Sequence, residues 1–180
     1  MKATRLILAA MVFGTAVGAS QASAQCSGNA GSCTTTNTAS VTVGALVKLG
    51  MTTTTTALTA PTADDVDAGA QIENVGPVFT IKANRSWTLK IKTSNATNWT
   101  YVSGGNSGAK PIGHLAWALA SGGSYTAITN ADVTFTSGAG ATNTGAATAW
   151  FRTTWLADFT DASNRQGVYE LPIVFTLTAP

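Results

Sequence analysis

The sequence predicts an all-β protein built as a single antiparallel β-sandwich of eight or nine short strands. Apolar residues alternate with polar ones over long stretches near both ends of the chain, the signature of strands with one buried face. Clusters of Gly, Ser and Thr punctuate the sequence between them at short intervals. Charged residues make up only 10% of the chain, and threonine, valine and aromatic residues suit pleated surfaces better than helices. A strand with one apolar face cannot bury it alone, so a second sheet must cover it.

Residues 1–24 are set apart as an export signal. Lys2 and Arg5 form a positive start, Leu6 to Val17 an apolar stretch too short to remain as a membrane span, and Ala22-Ser23-Ala24 a small-residue cleavage site before Gln25. Its short length has bacterial proportions, so the expected location is periplasmic, cell-surface or extracellular. No later run has the length and apolarity of a membrane helix. The precursor carries 10 Lys+Arg against 8 Asp+Glu, and cleavage would remove two bases and no acid. The remaining balance gives no reason to expect a nucleic-acid partner. What remains is long enough for one well-buried domain, assigned to residues 39–180.

Residues 25–38 read as an N-terminal loop and linker. Cys26 and Cys33 are the only cysteines, and in an oxidising compartment a short local disulfide is their expected use. Val41, Val43, Ala45, Val47, Leu49 and Met51 then alternate as a strand. The loop that follows holds Asp64, Asp65 and Asp67, with Glu73 nearby. These are weak calcium candidates, because the spacing lacks a recognised calcium loop and a solvated acidic turn explains them as well.

Val78 to Ala83 and Trp87 to Thr93 read as a hairpin. A three-residue loop, Asn84-Arg85-Ser86, would pair Ile81 with Leu89 and keep Phe79, Ile81, Ala83, Trp87, Leu89 and Ile91 on one face. Lys82, Lys90 and Lys92 would then share the outer face, where lysine deters edge-to-edge aggregation. A short strand is expected over Asn98 to Val102. His114 to Ala120 and Tyr125 to Thr129 flank Ser-Gly-Gly-Ser as a second hairpin that would set Trp117 opposite Ile128. Asp132 to Thr136 is a short strand, Ser137 to Ala147 a long loop, and Ala149 to Leu156 a strand with Trp150 and Trp155 on opposite faces. The last stretch sets Tyr169, Leu171, Ile173, Phe175 and Leu177 at every second position, with Pro172 marking an edge because it cannot donate to a ladder.

Catalytic chemistry finds little support. His114 is the only histidine and sits in an apolar stretch, where a packed core histidine is the ordinary reading. No Gly-x-Ser-x-Gly elbow accompanies it, and no phosphate loop or dinucleotide fingerprint occurs. Asp132, Asp158, Asp161 and Glu170 are carboxylates in the second half, but nothing places two of them together. The expectation is a protein that is not an enzyme and holds no cofactor. Of the five tryptophans, Trp87 and Trp117 fit the inward register, which leaves Trp99 and Trp150 as candidates for an exposed sugar-binding platform.

Gly167-Val168-Tyr169 at the start of a strand resembles the tyrosine corner of immunoglobulin-like folds, in which the hydroxyl bonds to backbone upstream. The last strand as a whole resembles the C-terminal strand of bacterial chaperone–usher pilins, with alternating apolar residues and a glycine, Gly167, fourteenth from the end. That resemblance implies an immunoglobulin-like sandwich completed by a strand from a neighbour, with like subunits and a periplasmic chaperone as partners. The sequence departs from the pilin pattern in having Ala179 where a penultimate aromatic is expected and neighbouring cysteines in place of a long-range bridge. The expected function is therefore a secreted structural subunit. Its assembly strands would be Val41, Val43, Val47 and Leu49 at one end and Tyr169 to Leu177 at the other. The alternative is a non-catalytic module that binds glycans through Trp99 or Trp150.

Overall fold

The structure, a computed structural model, describes residues 34–180. The expected signal segment and the Cys26–Cys33 pair lie outside the described residues. The chain divides into a unit over residues 1–42 and a second over residues 43–180. Residues 34–42, the described part of the first, carry no helix or strand and are exposed.

The second unit is all-β with antiparallel pairing. Its first strand, β1, is Val47–Met51 and pairs with β2, Gln71–Ala83. Between them Thr62 caps a single helical turn, α1 (Ala63–Asp67), whose Val66 is buried. β3 (Trp87–Thr93), β4 (Thr100–Ser103), β5 (Leu115–Ala118), β6 (Thr126–Ala127) and β7 (Val133–Gly138) follow. β8 is Thr142–Thr154, β9 Val168–Glu170 and β10 Ile173–Thr178. One sheet has the order β1-β2-β8-β5-β6, a second β10-β3-β7, and β4 and β9 form a separate pair. The two larger sheets meet through aromatic side chains. Phe79 of the first lies 4.4 Å from Phe175 and 5.7 Å from Phe135 of the second, and Trp117 lies 5.1 Å from Phe135, measured between ring centroids.

Several expectations are corrected here. β2 and β3 are not a hairpin: they belong to different sheets, and Asn84-Arg85-Ser86 is the corner of an arch. An arch stacks the two apolar faces against each other, which buries Phe79, Ile81, Leu89 and Ile91 to 1% exposure or less. The inferred loop length and the inward-facing set agree with the structure, while the pairing does not. Lys82 consequently faces out from one sheet and Lys90 and Lys92 from the other, so no three-lysine face exists. β2 begins seven residues earlier than Val78, because Gly76-Pro77 is absorbed as a bulge between Val75 and Val78 instead of ending the strand. β8 likewise begins at Thr142, inside the small-residue stretch expected to be loop. In the β5–β6 hairpin Trp117 faces Thr126 rather than Ile128, a slip of two residues that keeps every side chain on its face.

The strand expected from Val41 starts only at Val47; Val41 is 87% and Val43 67% exposed. The final strand is interrupted at Leu171-Pro172. Without an N–H, Pro172 donates nothing to a ladder, and its carbonyl instead accepts from the Thr93 hydroxyl at 2.8 Å and the Ser94 amide at 3.3 Å. β9 turns aside to pair with β4, and β10 pairs with β3. The tyrosine-corner contact is present: the Tyr169 hydroxyl donates to the Arg165 carbonyl at 3.1 Å.

Candidate functional site

The feature that sets this sandwich apart is an unequal closure of its two sides. On one side the chain after β6 passes from sheet to sheet. Ile128 donates its amide to the Leu115 carbonyl, and the Thr93 amide donates to Thr129 at 2.9 Å, so that side is tied shut and Ile128 is 2% exposed. On the other side stand β1 and β10, each the edge strand of its sheet, with no strand on their outer sides among the described residues.

Inward-facing residues on this side are incompletely covered. Val47 and Met51 pair with Ala83 and Phe79 and so share the core face of their sheet. Yet they are 45% and 43% exposed, whereas Phe79 is fully buried. Ile173, Phe175 and Leu177 pair with Thr93, Ile91 and Leu89 of β3; their partners are closed from solvent and they are only half-buried. Between the edges runs a groove of about 600 Å³ lined by Met51, Leu58, Leu171, Ile173 and Phe175, within the usual range of specific binding sites. The segment after β1 forms its far wall, held by the Thr52 amide on the Val78 carbonyl at 3.0 Å and the Thr59 amide on Asn74 at 2.9 Å. Alternating side chains of Val41 and Val43 are thus exposed in one segment, and alternating side chains of β10 are half-covered in another.

The predicted aromatic platform divides. Trp99 is 9% exposed with its indole N–H donating to the Pro111 carbonyl at 3.1 Å; it belongs to the core and cannot serve as a platform. Trp150 is partly exposed on the outer face of the five-stranded sheet, opposite Val75 and Ala118.

Asp64, Asp65 and Asp67 lie on and beside the single turn of α1, where the Asp65 carboxylate accepts from the Thr62 amide and hydroxyl at 2.8 and 2.7 Å. These bonds hold the Asp65 carboxyl below its ordinary range. Glu73 is engaged elsewhere, with the Ser121 hydroxyl, and no three His, Cys, Asp or Glu converge among the described residues. Of the second-half carboxylates, Asp132 pairs with Lys92 at 3.0 Å, Asp158 accepts from Thr160, and Asp161 accepts from the Ser163 amide.

His114 sits in a 3-10 turn (Ile112–His114) rather than in a strand. Its neighbour Lys110 is the residue that sequence reasoning missed. It occurs in a Gly/Ser loop yet is 2% exposed, with its ammonium 3.6 Å from the Trp155 ring centroid and 5.8 Å from that of Trp99. Burial lowers the Lys110 pKa to about 8 against an opposing pull from Asp161. Burial and then the Lys110 charge push His114 down as well. The two indoles supply a cation–π cage in place of a counter-ion. Nothing in a Lys-Pro dipeptide signals this, because the cage partners come from segments distant in sequence.

No protein-family model matches the chain, and no curated protein is similar enough in sequence to count as a relative.

Proposed function

We propose that this protein is an exported structural subunit that assembles with like subunits by strand addition, with the β1–β10 groove as acceptor and the exposed residues 41–45 ahead of β1 as donor. The observation that carries this reading is the half-covered inward face of β10 beside an unpaired edge. Covering one such half-exposed side chain is worth roughly 1 kcal/mol. Ordering each residue of an incoming strand costs about 1–2 kcal/mol. Burial on the acceptor alone therefore does not suffice. The donor must bring apolar side chains of its own at every second position and satisfy the β10 edge with backbone hydrogen bonds. Val41, Val43 and Ala45 have that spacing and precede β1. A periplasmic chaperone that covers the same edge before assembly is consistent with the pilin resemblance.

The test is a Val41→Asp, Val43→Asp double variant compared with the wild type by size-exclusion chromatography and negative-stain microscopy. Both side chains are exposed, so the fold should survive, as circular dichroism would record. Assembly of the wild type and its loss in the variant support the reading. Equal assembly by both proteins removes residues 41–45 as donor, and a wild type that remains monomeric at all concentrations removes the reading itself.

A further inference from the structure

The outer face of the five-stranded sheet carries a second arrangement that strand addition does not use. Trp150 and Arg152 are outward positions of β8. Across the ladder Trp150 faces Val75 of β2 and Ala118 of β5, while Arg152 faces Glu73 and Ala116. On the β5 side Ala118 is covered, 2% exposed, while Val75 on the other side is 57% exposed and leaves that flank of the indole open. The tip of the β5–β6 hairpin folds over this face. The Ser121 hydroxyl and the Gly122 amide donate to one oxygen of Glu73, at 2.9 and 3.2 Å, and the Tyr125 ring lies 4.2 Å from the Arg152 guanidinium.

The hydrogen-bonding capacity left over is what points to a ligand. The Ser121 bond is the main influence holding the Glu73 carboxyl below its usual range, with the Gly122 amide, the Tyr125 hydroxyl and the Arg152 charge acting on it in the same sense, so it is ionised at neutral pH. Arg152 Nε is closed from solvent without a hydrogen-bond partner. No described residue bonds the terminal guanidinium nitrogens of Arg152, and Lys92–Asp132 is the one ion pair among the described residues. A fixed fork of donors, a fixed acceptor and a partly exposed indole therefore share one face. Buried or oriented polar groups left unsatisfied in this way call for an explanation. Opposite charges set side by side leave the patch without net charge, which disfavours an anionic ligand and a nucleic acid alike.

We infer that this face binds a neutral pyranose ring of a polysaccharide, with the apolar face of the sugar on Trp150 and two adjacent hydroxyls on Arg152 and Glu73. An aromatic face receives the C–H groups of a pyranose, and a guanidinium beside a carboxylate offers paired donors and an acceptor to vicinal hydroxyls. The site lies on the outer face of the sandwich, away from the strand edge, so binding is independent of assembly.

The experiment is affinity electrophoresis of the full chain through native gels containing neutral polysaccharides (soluble β-glucan, mannan, xylan and galactan), with alginate as an acidic comparison. Retardation by at least one neutral polymer is expected. Trp150→Ala should weaken it about tenfold, as loss of a stacked ring does, and Arg152→Lys, which keeps the charge and loses the fork, should also weaken it. The Val41→Asp, Val43→Asp variant should bind as the wild type does, which separates failure of this site from failure of strand addition. No retardation by any neutral polymer overturns the inference. So does retardation by alginate alone, or undiminished binding in a Trp150→Ala chain whose circular dichroism matches the wild type.

Discussion

At the scale of single residues, Lys110 is the sharpest case of physical chemistry acting against simple rules. A buried ammonium with no hydrogen-bond partner is costly, and the indoles of Trp99 and Trp155 recover only part of that cost, about 2 kcal/mol when desolvated. With its folded pKa lowered to about 8, the folded protein sheds a proton that the unfolded chain still holds up to the ordinary lysine range. The penalty is therefore fully present below pH 8 and relieved as pH rises toward about 10.4. Stability of the wild type relative to Lys110→Met should rise across that window, with Asp161 and His114 as the other charged or titratable groups in the neighbourhood. Urea unfolding midpoints of both proteins at pH 7 and pH 10 provide the check. A difference that does not change with pH would mean that the indoles hold the ammonium at its usual pKa. None of this was legible in the sequence, where Lys110-Pro111 reads as loop. By contrast Tyr169 was legible, because a Gly-x-Tyr at a strand start needs only local backbone to make its bond to Arg165.

At the scale of elements, the recurrent lesson is that side-chain alternation fixes which face is buried and leaves the pairing partner open. Phe79, Ile81, Leu89 and Ile91 were assigned correctly to the interior, since both a hairpin and an arch bury them. The choice between those two is made by what covers the faces, which is information from distant strands. Small residues produced the other errors. Gly76-Pro77 and Thr142 to Ala147 read as breaks, yet the ladder accepts them, the first as a bulge and the second as a weakly apolar strand. Gly76 has a further constraint: a Cβ there would lie 2.6 Å from Phe151 Cε2 and 3.0 Å from the Ala149 carbonyl. Gly76→Ala should therefore push Phe151 out of its packed position and destabilise the fold by about 1–3 kcal/mol. Chemical denaturation measures this directly, and a variant as stable as the wild type would show that the bulge can shift to make room. In the acidic turn, Asp65 is spent on capping α1.

At the scale of the whole molecule, the fold is a sandwich tied shut along one side and left apolar and unpaired along the other. That asymmetry was only partly visible beforehand. The sequence marks both terminal stretches as high-contrast strands and Pro172 as an edge. It does not reveal that β1 and β10 lie at the same side of the sandwich, or that Val47 and Met51 remain exposed while facing inward. The outer-face cluster around Trp150 was half visible: the tryptophan was a candidate, whereas Arg152, Glu73 and Tyr125 reach it only through the ladder and the folded-over hairpin. Hydrogen exchange on β10 of the full chain, followed residue by residue across a dilution series, tests the central claim most directly. In dilute protein alternate amides of Ile173–Thr178, those turned away from β3, should exchange rapidly, and they should become protected at concentrations where subunits associate. Complete protection of every β10 amide in the dilute monomer, or association without added protection there, would contradict the account.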